Sequence, residues 1–144
     1  MRERAEIGAP VDAVFAFFDD VANASVLVSN LVEIGRVEPV TGGGRRIEYT
    51  TRGANGQLVD ASSEHVEYDP PRRTVTKGVQ SGVSVVSTRE FESLPHGGTR
   101  VTASVEWSVP VRYVAKVVEY PLRGPFRRSL REMLAAAKDA MESS

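Results

Sequence analysis

The hydrophobic period of the chain changes twice. After Ala9-Pro10, the residues Val11, Val14, Phe15 and Phe18 recur at i, i+3, i+4 and i+7, which puts them on one stripe of a helix predicted over residues 10–21. Proline suits a first helical turn, where its missing N–H would have met no acceptor. Asp12 sets an anion against the positive end of the helix dipole. The stretch Ala22 to Asn30 is small and apolar and accommodates a short second helix. From Leu31 the period becomes two. Strands are predicted over Leu31–Pro39, Arg45–Arg52, Leu58–Tyr68, Arg73–Gln80, Val83–Leu94 and Thr99–Val109, with turn residues such as Thr41-Gly42-Gly43-Gly44, Asn55-Gly56 and Asp69-Pro70-Pro71 between them. The last strand is the clearest: Val101, Ala103, Val105, Trp107 and Val109 alternate with Thr102, Ser104, Glu106 and Ser108. Beyond Pro110 the period is helical again. Val114, Val117 and Val118 form a short stripe, Pro121, Gly124 and Pro125 interrupt it, and Phe126, Leu130, Met133, Leu134, Ala137 and Met141 line one side of a final helix.

An opening strand at residues 2–7 completes a predicted seven-stranded antiparallel sheet in an α+β domain spanning 1–144. A long sheet with one amphipathic C-terminal helix buries both apolar faces only by curling around that helix. Twelve glycines are available for the bends and bulges this requires. A curled sheet gripping a helix leaves a space between them, and that space is where function is expected.

Composition narrows the chemistry. The chain has 144 residues, no cysteine and two histidines, which excludes disulfides, thiolate metal sites and multi-histidine zinc sites. Eighteen basic and nineteen acidic residues give a net charge of −1, so no global field favours nucleic acid. The charged start Met1-Arg2-Glu3-Arg4-Ala5-Glu6 does not resemble a secretory signal, and a cytoplasmic location is expected. No motif calls for a metal or cofactor, and the triple glycine lacks the surroundings of a phosphate loop.

Strand phase nominates the candidate site residues. Trp107 and Val105 share the face that should meet the C-terminal helix, as do Phe126 and Leu130 on the helix itself. Arg89 is in phase with Phe91 and points inward, where a guanidinium needs a carboxylate or a polar ligand to offset its desolvation. Glu64 and Asp60 share the phase of Val66 and Tyr68, so either is a potential partner for it. Tyr49, in phase with Ile47, offers a phenol to the interior. His65 alternates away from Val66 and Tyr68 and is predicted on the solvent side. His96 lies in a Pro-His-Gly-Gly turn, and neither histidine has a triad partner at motif spacing. On the last helix Arg127, Arg128 and Arg131 lie mainly opposite the apolar stripe. They form either a solvated face or a surface for anionic lipid or an acidic partner.

Three segments resemble a known superfamily. Ala9-Pro10-Val11-Asp12-Ala13-Val14-Phe15 is similar to the opening of its first helix. Glu64-His65-Val66-Glu67-Tyr68-Asp69-Pro70-Pro71-Arg72-Arg73 resembles its strand-turn element ending in Pro-Pro-Arg-Arg. Phe91-Glu92-Ser93-Leu94-Pro95 with Gly97-Gly98-Thr99-Arg100-Val101 resembles its hairpin ending in Gly-Thr-Arg-Val. The superfamily is the START-like, or polyketide cyclase/dehydratase and lipid-transport, group. The resemblance implies the helix-grip fold, with one or two short helices after the first strand and a cavity between sheet and C-terminal helix. One departure stands out: many relatives carry tryptophans and a proline in the second short helix, where this chain has Ala22 to Asn30. The functional expectation is binding or transport of a hydrophobic small molecule (lipid, polyketide or aromatic in type) by a monomer or weak homodimer. Two alternatives stay open, a cyclase or dehydratase using Tyr49, Asp60, Glu64 and Arg89, and an interaction module using the basic helix face.

Overall fold

The computed structural model describes residues 1–53, 55–80, 82–108 and 119–143, with the side chains of 119–126 left outside the description. The strands are β1 (Arg2–Ile7), β2 (Leu31–Pro39), β3 (Arg45–Arg52), β4 (Leu58–Asp69), β5 (Arg73–Gln80), β6 (Val83–Ser93) and β7 (Thr99–Ser108). They form one antiparallel sheet in the order β1-β7-β6-β5-β4-β3-β2, so β2 to β7 are successive hairpins and β1 closes the far edge against β7. The helices are α1 (Val11–Asp19), α2 (Ala24–Leu27) and α3 (Glu119–Glu142). This is the α+β arrangement expected, with the long C-terminal helix packed on the sheet.

Several boundaries differ from the pattern-based ones. Pro10 is the cap of α1 rather than its first residue, in extended backbone at ψ 151°. The helix stops at Asp19 because Asp20 adopts an extended conformation and its side chain accepts the Ala22 N–H at 2.9 Å, starting a tight 3₁₀ turn over Val21–Asn23. Pro121 and Pro125 do not break the final helix: α3 is already helical at Glu119. Both prolines lie within the span Glu119–Glu142. The stripe expected at Val114 to Val118, and Val109, lie outside the described residues.

The core sits at one end of the sheet. Val101, Ala103 and Val105 of β7, Phe91 of β6 and Ile7 of β1 meet Leu130, Met133, Leu134 and Ala137 of α3 and Val14, Phe15 and Phe18 of α1. Phe91 receives Phe15 and Phe18 edge-on, with ring centroids 5.1 and 5.5 Å apart. The strict alternation of β7 is what makes this half of the sheet legible: every second residue from Thr99 to Val105 is buried.

Curvature comes from register shifts and bare backbone. β2 shifts register twice against β3, around Val32 and around Gly35. β4 carries a bulge between His65 and Glu67. Gly78 of β5 lies opposite Ser63, and a Cβ there would collide with the Ser62 carbonyl oxygen. Gly78→Ala therefore forces β5 away from β4, and urea denaturation should register a loss of about 1–3 kcal/mol.

Candidate functional site

The bulge on β4 governs what the concave face carries. Pairing runs His65↔Thr76 and then Glu67↔Val75, leaving Val66 unpaired and exposed. Tyr68 still faces inward, but the extra residue reverses the phase of everything before it. Ser63 and His65 consequently line the interior, and the intervening Glu64 points to the opposite face beside its register partners Arg46 and Lys77. Two expectations are corrected here. Glu64 and Asp60 do not face Arg89, and His65 is half-buried rather than on the solvent side.

Across β3 to β6 the inward residues form polar rows. Arg45, His65, Thr76 and Ser87 lie side by side in successive strands, with Thr74 and Arg89 in the next row. Beneath α1 and α2 these rows enclose a cavity of about 160 Å³, walled by Phe15, Phe18, Leu27, Leu31 and Ile34. A second space of about 350 Å³ continues from it toward α3 and is bounded by Val85, Val105, Leu130 and Met133. Tyr49, Ser63, Thr76, Ser87 and Arg89 border both, so the two are compartments of one cleft. Half of the concave face is thus core and half is a hydroxyl-lined cavity. Sequence reading anticipated fewer polar groups there, chiefly Arg89, Tyr49 and a carboxylate from Glu64 or Asp60.

Arg89 stands at the junction. Its guanidinium lies 5.4 Å from the Phe18 ring centroid, donates at 3.4 Å to the Phe18 carbonyl and approaches the Met133 sulfur at 3.5 Å. These contacts are long or weak for a cation. Burial pulls the group below its ordinary arginine value, opposed by Asp19 and Tyr49, yet an arginine stays charged at neutral pH. Burial also raises the Tyr49 phenol, against the charge of Arg89, so Tyr49 remains a protonated donor. Its hydroxyl has no hydrogen-bond partner among the described residues.

At the other end of the cavity a tighter polar group closes the wall. Tyr68 donates to Asp19 at 2.6 Å, and Arg45 pairs with the same carboxylate at 3.3 Å and donates to the Asp19 carbonyl at 2.8 Å. The Arg45 backbone N–H donates to His65 Nδ1 at 3.0 Å. The approach that makes this bond depends on Gly44, whose φ of +79° is foreign to other residues and whose Cβ would stand 2.6 Å from the His65 ring. Gly43 and Gly44 are close-packing positions, against Tyr68 and His65, while a Cβ at Gly42 would meet open space.

The remaining candidates divide. Val105 and Leu130, each 6% exposed, border the cleft. Trp107 is inward as its phase requires but packs against the core rather than bordering either compartment. Phe126 falls within α3, with its side chain outside the described residues. Arg127 and Arg131 reach Glu3 of β1 at 3.6 and 3.1 Å, so part of the basic face braces helix to sheet. Missed from sequence were Asp19, Arg45, His65, Thr74, Thr76 and Ser87. Ser87 shares the parity of Arg89 and was readable; His65 was hidden by the bulge.

Residues 1–142 match the family described as polyketide cyclase/dehydrase and lipid transport. The chain belongs to that family. Among solved structures it is similar to TTHA0849 from Thermus thermophilus (17% identity over 99% of this chain and 97% of that one, TM-score 0.74) and to Ara h 8.0201 (15%, 100% and 97%, 0.76). It is also similar to the di-domain ARO/CYC BexL from the BE-7585A biosynthetic pathway, at 20% identity and TM-score 0.75, covering 99% of this chain and 49% of that one. At these identities the likeness is one of fold. No curated protein matches the chain. Among the described residues no helix is long and apolar enough to cross a membrane.

His65 supplies a pH signature. Burial first, then the charge of Arg45, hold its imidazole below the ordinary histidine value. The unfolded chain therefore binds the proton at higher pH than the folded one, and stability falls as pH drops through about 6.5. Urea midpoints measured at about pH 7.5 and pH 5.5 should diverge in the wild type and diverge less in His65→Gln, which keeps an acceptor but does not titrate.

Proposed function

We propose that the protein binds and carries a hydrophobic small molecule in the cleft between α2, α3 and strands β3 to β6. One observation carries the reading: the cleft is contiguous, with an apolar roof of Phe18, Leu27, Leu130 and Met133 over a floor of hydroxyls. Ligand sites have this composition, a mostly apolar wall with few orienting polar groups. Family membership supports it, since lipid transport stands in the family's description. The absence of bulky aromatic residues from Ala22 to Asn30 keeps the α2 side of the cleft open. We take the carrier to act in the cytoplasm.

The cyclase reading has one observation in its favour, the unpartnered Tyr49 hydroxyl beside Arg89. It loses two of its four nominated groups, because Asp60 and Glu64 face away from the cleft. Carriage is therefore the reading preferred.

Mass spectrometry of an organic extract of the folded protein, against a denatured control, should recover a lipophile in stoichiometric amount. Ser87→Phe, which fills the centre of the cleft, should abolish that recovery and the binding of neutral phenylnaphthylamine while leaving the circular dichroism spectrum intact. Unimpaired phenylnaphthylamine binding by Ser87→Phe would overturn this location of the site.

A further inference from the structure

We infer that Arg89 is the anchor for an anionic oxygen group, so that the molecule held in the cleft is an amphiphilic acid, an apolar body ending in a carboxylate or a chemically similar head. The inference rests on the cleft being a ligand site and names the class of its ligand. Its basis is a contrast among the described arginines: Arg2, Arg4, Arg52 and Arg128 have no carboxylate partner but are exposed to water, whereas Arg89 lacks one inside the cleft. Arg36, Arg45, Arg46, Arg72, Arg73, Arg100, Arg127 and Arg131 each have a carboxylate oxygen within 3.8 Å, although most of them are exposed and have little need of one. Arg89 is surrounded by protein and has none among the described residues. Asp19, the nearest source of negative field, already serves Arg45 and Tyr68.

A guanidinium has five N–H donors, and here two of them make long contacts, to a carbonyl and a thioether. A desolvated cation left in that state weakens the fold unless an anion completes it. The donor fork matches a carboxylate in two parallel bonds. Tyr49, held protonated by burial, and the Thr76 and Ser87 hydroxyls border the same space and can donate to the anion's remaining lone pairs. Phe18 and Met133 exclude water on the other side of the guanidinium. The apolar body then runs toward Val105 and Leu130, where the larger compartment lies.

Two probes with one skeleton test this, anilinonaphthalene sulfonate and its neutral parent phenylnaphthylamine, titrated by fluorescence. The wild type should prefer the sulfonate, and Arg89→Gln should weaken it by about tenfold or more, the scale of a charged hydrogen bond, while moving the neutral probe by less than about twofold. Arg89→Met should at the same time raise the thermal midpoint of the ligand-free protein, because it removes a charge the empty fold leaves unpaired. Equal affinity for both probes, or an equal loss of both in Arg89→Gln, would overturn the anchor and leave the cleft standing. Failure of both probes to bind the wild type would overturn the cleft itself, and binding of the neutral probe alone would overturn the anchor. A lowered midpoint or an unfolded Arg89→Met would make Arg89 a structural residue and end the proposal.

Discussion

The extra residue at Val66 decides the chemistry of the interior. A regular β4 would have turned Glu64 and Asp60 toward Arg89, and the buried guanidinium would have closed into an ion pair of the structural kind. The bulge turns Ser63 and His65 inward instead. It therefore withdraws the carboxylates from the cleft while keeping Tyr68 in place to hold Asp19. Arg89 keeps its charge and loses its natural partner. Two features of the cleft follow from that one unpaired position: Ser63 and the His65 imidazole line it, and the carboxylates of β4 do not. The hydroxyls of β5 and β6 follow from the alternation of their own strands.

The tight core and the cleft occupy separate parts of the same sheet. β7, β1 and the C-terminal half of α3 supply the tightly packed apolar residues, including Val101, Ala103, Leu134 and Ala137, all nearly inaccessible. β3 to β6 contribute Thr74, Thr76, Ser87, Ser63 and Tyr49, which pack poorly against hydrocarbon and leave volume. The well-packed end and the ion pairs from Arg127 and Arg131 to Glu3 secure the helix on the sheet. A cavity at the other end is tolerable only because the core beside it is sound.

The order of elements and the C-terminal helix were legible in the changes of period. The inward phases of Val105 and Leu130 were legible in the alternation of Val101 to Trp107 and the stripe from Leu130 to Met141, and those of Arg89 and Tyr49 in their parity with Phe91 and Ile47. What alternation could not convey was where it fails. Val66 looks like any inward valine in Glu64-His65-Val66-Glu67-Tyr68, and nothing in its side chain announces that it is the unpaired residue of a bulge. The prolines misled as well: read as interruptions, Pro121 and Pro125 both lie within the helical span of α3, since local propensity is a weak guide where tertiary packing of the stripe from Leu130 onward decides. Asp19 was missed because its role is tertiary, set by Tyr68 and Arg45 from strands far along the chain.

Hydroxyl rows by themselves select little, since serine and threonine donate or accept with equal ease. An apolar roof selects little more, because it adapts to shape and cannot orient a symmetric hydrocarbon. Direction inside such a cleft has to come from a group with one sign and a fixed donor pattern. Arg89 has both, and the Phe18 ring and Met133 thioether hold it in place without neutralising it. In this fold a single strand moved out of register changes which side chains face the cleft and leaves the core and the C-terminal helix packed on it untouched.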